Sequence, residues 1–368
     1  MNRGLEEKLA WTEPDADLAR LESLTAQLAA EDAHADAEDN WPGALWTLIE
    51  RTGATRWALT PVYGGEGCAR PLLLQRYAQL AGGSLTAVFV LSQHDAGVRR
   101  LLAAPESDVA GRWLEAIGQG RAFTTVGISH LTTSRRLGIQ PVKAVDLKIG
   151  TYRFDGTIPW VTAAERAQVL VTGAVLDDGR QMLCALPADR PGVVVGAPFP
   201  LAALQASCTT EVVLEGALVD ESDLLAGPAT DILSNPGAVG TAGLETSALA
   251  LGQARAALMA LFELGPERTD LAEPLEALGE NWQTYWCHLI AQANGEADAP
   301  PAGQIRTQAN SLVLRATQAY LTARRGTGFL RTEPAQRWAR QALFFLVWSC
   351  PTPVAHAAIR DLAGLCQV

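Results

Sequence analysis

Trp160 and Thr162 stand two residues apart at the end of an alternating stretch that opens at Gly150. Residues at that spacing on an extended strand share a face. An indole gives a flat surface that can cover another flat ring, and a hydroxyl beside it can meet that ring's polar edge. A second group of hydroxyls, Ser129, Thr132, Thr133 and Ser134, crowds the run Val126–Ser134, where hydroxyls and backbone amides suit a phosphate or a ring edge. Arg268 offers the fixed donor fork that fits a diphosphate. Gly326 and Gly328 flank Thr327 in a turn that lets backbone approach a ligand closely. Glu245 opens a helical stretch and is the acid–base candidate, against the plain alternative of a solvated carboxylate favoured by the helix dipole. His94 and His130 titrate in the right range, although each also reads as a satisfied structural histidine.

The elements that must position these groups fall into three blocks, at 1–122, 123–227 and 228–368. The first is Ala/Leu-rich and helical, with Leu18, Leu21, Leu24 and Leu28 at helical spacing and Trp113, Leu114 and Ile117 marking another helix. A loop, Pro61 to Gly67, breaks it. In the second block strand signals replace helical ones: Phe123–Val126, the stretch Gly150–Thr162, Val169–Ala174, Met182–Leu186, Gly192–Val195 and Glu211–Leu214. Asp155-Gly156 reads as a two-residue hairpin turn that folds Tyr152 and Phe154 back on the strand ending at Trp160. The third block is helical again, with expected helices at Leu244–Leu264, Leu271–Ala293, Ile305–Thr322, Pro334–Trp348 and Thr352–Leu365. The fold class is therefore α+β: helices, a β-domain, helices.

Composition narrows the function. A net charge of −11 over 368 residues argues against nucleic-acid binding, which needs a basic face. Six scattered cysteines with no C-x-x-C give neither metal spacing nor a disulfide framework. Cys287 and His288 are adjacent, so on a helix they point apart. The N-terminus lacks the apolar core of a signal peptide, and the apolar run Ala342–Trp348 is too short to span a bilayer. The expectation is a cytoplasmic protein without a membrane span.

Helical block, β-domain and helical block, with a set of short motifs in this order, resemble the acyl-CoA dehydrogenases over nearly the whole chain. The motifs are Pro61-x-Tyr63-Gly64-Gly65-x-Gly67, G-x-Y-x-x-x-G-x-x-x-W-V-T-x-A from Gly150, Pro187-Ala188-Asp189-Arg190-Pro191-Gly192-Val193, and Leu224-Leu225-Ala226-Gly227. The resemblance implies FAD between the β-domain and the C-terminal helices. Trp160 and Thr162 would lie against the flavin ring, and Ser129 and Thr132 on the flavin loop. Arg268 and the Gly326–Gly328 turn would complete the diphosphate and adenine end from a neighbouring subunit, so a homodimer or homotetramer is implied. The flavin loop departs from the family pattern: the family Glu, Pro and Asp are missing. Arg325 replaces the first glycine of the turn, and Gly279 a glutamine that contacts cofactor.

The resemblance also implies a carboxylate that removes a substrate α-proton. Its usual position is Ser349 here, which has no base beside it. The alternative family position, counted back from Gly252, is Ala242, and Glu245 follows one turn later on the same helical face. Three readings result. The first is an FAD-dependent oxidoreductase performing α,β-dehydrogenation of an acyl thioester such as acyl-CoA, with Glu245 as displaced base. The second is a flavin-dependent oxidase or monooxygenase on the same fold, and the third a catalytically silent scaffold.

Overall fold

A computed structural model describes residues 2–37, 41–132, 138–230, 232–233, 243–265, 268–348 and 350–365. The first block holds helices α1 (Asn2–Lys8), α2 (Leu18–Ala35), α3 (Gly43–Arg51), α4 (Arg70–Ala81), α5 (Leu85–Leu102) and α6 (Asp108–Gly118). Eight strands follow: β1 (Thr124–Gly127), β2 (Lys143–Asp146), β3 (Thr151–Val161), β4 (Val169–Leu176), β5 (Gln181–Pro187), β6 (Val193–Val195), β7 (Thr210–Asp220) and β8 (Leu224–Ala229). The last block holds α7 (Leu244–Phe262), α8 (Ala272–Asn294), α9 (Ala302–Arg324), α10 (Pro334–Ala342), α11 (Phe344–Val347) and α12 (Thr352–Leu362). β8 runs past the expected boundary at 227. Among the described residues no helix is long and apolar enough to cross a membrane.

The strands form one sheet in the order β6-β7-β3-β2-β4-β5-β8, with β1 alongside β4 in parallel. The hairpin expected at Asp155-Gly156 is absent. β3 passes straight through both residues, paired with β2 on one side and β7 on the other. Ladders on both sides outweigh the local turn preference. What remains of that preference is a bulge between Phe154 and Asp155, where the Asp155 carboxylate accepts from the Gly216 amide at 2.8 Å and Gly156 takes φ +137°.

The first and third blocks are not separate domains in their packing. Leu74, Tyr77 and Phe89 share one buried cluster with Leu251, Leu258, Trp282, Leu312 and Phe345. α4 and α7 touch at Gly252, where a Cβ would stand 2.0 Å from the Ala78 carbonyl oxygen. Neighbours on several sides bury most of the residues of α7 from Leu244 to Leu261. The expected helix Pro334–Trp348 is broken after Ala342, and its second part is the single turn α11.

α5 ties this helical core to the sheet. Val98 and Leu101 of α5 pack with Val169, Val171 and Ala185 of β4 and β5. Its N-terminus is capped by Ser84, whose hydroxyl oxygen accepts from the Ala87 amide at 3.1 Å. Ser84 also meets buried Asp32 of α2, which is ion-paired with Arg337 of α10. A fixed α5 is what the site needs, because one of its faces is a wall of the cavity described next.

Candidate active site

A cavity of about 640 Å³ opens where the sheet, α5 and the C-terminal helices meet. The β-side wall carries Val126, Ile128, Ser129, Thr132 and Trp160; α5 contributes Phe89, Ser92, Gln93, Ala96 and Arg99; Glu245, Phe344 and Trp348 close it from the C-terminal block. Four residues singled out in the sequence, Ser129, Thr132, Trp160 and Glu245, therefore meet in one space.

Trp160 has φ +59°, a conformation that a bulky side chain rarely adopts, and it is 44% exposed. Such strain persists only where the surroundings fix it. Phe199 meets the indole edge-on at 5.1 Å, and the Ser129 hydroxyl donates to the Pro159 carbonyl at 3.0 Å, tying the hydroxyl loop to the strand. The Thr132 hydroxyl donates to Ile128 at 3.3 Å, while Thr133 and Ser134 lie outside the described residues. The register shift between Ile158 and Val161 and the left-handed turn at Trp160 end the alternation, so Trp160 and Thr162 part company. Thr162 is buried behind the wall, 3.1 Å from the hydroxyl of Thr209, and Thr209 reaches the cavity in its place.

Glu245 is buried, not the solvated helix-end carboxylate of the plain alternative. Its Oε1 lies 3.2 Å from Nη2 of Arg70 and 3.2 Å from Nη2 of Arg99. Burial pushes its carboxyl up, but Arg99 and Arg70 outweigh burial and hold it below the usual range. The group is thus a permanent carboxylate at neutral pH. Behind it, Asp95 accepts a short hydrogen bond from Tyr77, and burial raises its carboxyl to about 7. Ala242 and Ser349 lie outside the described residues; Trp348 and Cys350, on either side of Ser349, line the cavity.

The histidines are structural. The Thr124 amide meets Nδ1 of His94 at 3.3 Å and its Nε2 faces the Thr55 carbonyl at 3.2 Å, while Nε2 of His130 faces the Gly173 carbonyl at 2.9 Å. Burial lowers each to about 4. Neither lines the cavity.

Sequence reading missed the α5 wall. Phe89, Ser92, Gln93, Ala96 and Arg99 recur at three- to four-residue intervals, which is a helix face. The signal was masked by the apolar residues Val88, Leu91 and Val98 interleaved with it, which pack into the core.

No family model matches the chain. A probable acyl-CoA dehydrogenase of Bacillus subtilis (strain 168) is 23% identical over 259 residues, 68% of this chain and 67% of that protein. Butyryl-CoA dehydrogenase from Megasphaera elsdenii superposes with a TM-score of 0.78 at 17% identity, covering 96% of this chain and all of that one. The prolyl acyl carrier protein oxidase AnaB superposes with a TM-score of 0.79 at 15% identity, covering 97% and 100%. The chain is thus similar in sequence to acyl-CoA dehydrogenases over 68% of its length and shares their fold. The family's helical, β and helical arrangement is the one described above.

Likeness to acyl-CoA dehydrogenases implies a flavin, and the chemistry of the cavity lining suits one. A half-exposed indole in a left-handed conformation, with hydroxyls on the adjoining loop, offers the flat face and polar-edge partners that such a ring needs. The other residues expected to hold FAD stand apart from this cavity. Arg268 has its fork engaged by Asp270, at 2.8 and 2.7 Å. Gly326 and Gly328 sit in a 3-10 turn, Arg325–Phe329. Gly328 packs on Arg324, whose Cβ would be 2.6 Å from an added Cβ, whereas Gly326 faces open space.

Proposed function

We propose that the chain is an FAD-dependent oxidoreductase of the acyl-CoA dehydrogenase kind, acting on an acyl thioester or a related small substrate. The observation that carries this reading is the convergence of Trp160, Ser129, Thr132 and Glu245, from three separate elements, on one cavity. When bound, FAD would supply the two-electron acceptor. Trp160 would cover one face of its ring, and Ser129 and Thr132 would orient its polar edge. Glu245 would take the substrate α-proton on a carboxylate oxygen. Phe89, Phe344 and Trp348, mutually in edge or stacked contact, exclude water from the apolar end. A second copy of the chain, in a homodimer or homotetramer, would bring Arg268 and the Gly326–Gly328 turn to the adenine end.

The test is the visible spectrum of the purified protein before and after adding FAD and removing the excess. Retained flavin bands that bleach anaerobically with an acyl thioester support the reading; no retained flavin overturns it and leaves a scaffold.

The second reading, an oxidase or monooxygenase, is favoured by one observation: two arginines pin Glu245, which weakens it as a base. Rapid oxygen consumption by the reduced protein would select this reading over a dehydrogenase.

A further inference from the structure

The Arg99 end of the cavity is charged and does not suit a plain alkyl chain. We propose that Arg99 receives a carboxylate of the substrate, so that the substrate class is an acyl compound with a free carboxylate on its acyl part. This rests on the flavin reading above for the cavity that the substrate enters.

Along α5 the lining changes from the aromatic ring of Phe89, through Ser92 and Gln93, to the guanidinium of Arg99. The ten-residue step spans about 15 Å of helix. An alkyl chain laid along it would press its last carbons on a guanidinium, removing water from a charge and returning nothing. At that end Arg70 and Arg99 share a single carboxylate, Glu245. Asp95 is near Arg99, but it accepts from Tyr77 through one oxygen and its Oδ1 has no donor. Nε and Nη1 of Arg99 are buried and meet no acceptor in good hydrogen-bond geometry, although the Tyr77 hydroxyl lies close to the guanidinium. Buried N–H groups without acceptors are costly, and a carboxylate is the ligand that matches a guanidinium best. By contrast Arg340, also on the wall, is already engaged by Asp36, the Ala202 carbonyl and Gln336. A ligand carboxylate would share the guanidinium that now holds Glu245, so substrate binding and the freedom of Glu245 are coupled.

The test compares glutaramate with its neutral isostere glutaramide, by calorimetry on the FAD-loaded protein. The expected result is glutaramate binding at least tenfold tighter, with the preference abolished in Arg99→Gln and partly kept in Arg99→Lys. Equal binding of the pair, binding of neither, or a preference that survives Arg99→Gln overturns the proposal. So does a preference seen in the FAD-free protein and lost on loading, which would assign Arg99 to the cofactor. If the protein retains no FAD, the flavin reading fails by its spectrum, while the same titration on unloaded protein still decides for or against a carboxylate at Arg99.

Discussion

Replacing Glu245 with glutamine keeps the shape of the side chain and removes its charge. Arg70 keeps 39% of its side chain exposed and turns to water, whereas Arg99, at 14%, stays buried without its carboxylate. Removing one partner of a buried ion pair costs about 3–5 kcal/mol. The hydrated Arg70 and the amide oxygen that remains to accept put this variant at the low end, about 3 kcal/mol, so it folds with a lower urea midpoint. The pH dependence has a definite sign. The folded carboxyl sits below its ordinary 4.5, so its contribution is present above that value and is lost as pH falls through the lower folded one. The stability gap between wild type and Glu245→Gln therefore closes in acid. Loss of a general base slows the proton-transfer step by about 10²–10⁴. Anaerobic stopped-flow should show FAD still bound and its reduction by substrate slowed by that factor. Reduction at the wild-type rate refutes the base assignment, and an unchanged urea midpoint refutes the pairing argument.

Gly252→Ala forces α4 and α7 apart at the Ala78 carbonyl; the expected loss is about 1–3 kcal/mol, read by urea unfolding. Trp160→Ala removes the ring platform and should weaken FAD binding by roughly two- to thirteenfold, the ~0.5–1.5 kcal/mol of an aromatic pair, as measured by flavin fluorescence titration. His94 and His130 fall from 6.5 to about 4 in the folded chain, so the unfolded chain binds more protons between those values. Stability should decline as pH drops from 6.5 towards 4, and His130→Gln should make that decline shallower.

The block order and most strands were legible because each is a local pattern. The Asp155-Gly156 turn misled because turn preference is local too, and only the two flanking ladders of β2 and β7 overrule it. Short β2 carries too few residues for a period to show. Glu245 could be placed near the site by counting from Gly252, but its two arginine partners come from α4 and α5, far away in sequence. Thr162 lies behind the cavity wall for a related reason. Strand alternation predicts a shared face with Trp160, and a single left-handed residue at Trp160 undoes it.

The shared core of the first and third blocks bears on how the chain is made. α4 and α5 leave the ribosome with faces that α7, α8 and α11 later cover, and the whole β-domain is synthesised in between. The first block must therefore wait with Leu74, Tyr77 and Phe89 uncovered, a period in which exposed apolar surface invites aggregation. Closing that core joins segments widely separated in sequence, the kind of contact that slows folding. A truncation before α7 would remove more than the C-terminal helices. It would leave the N-terminal block without the partners that cover Leu74, Tyr77 and Phe89.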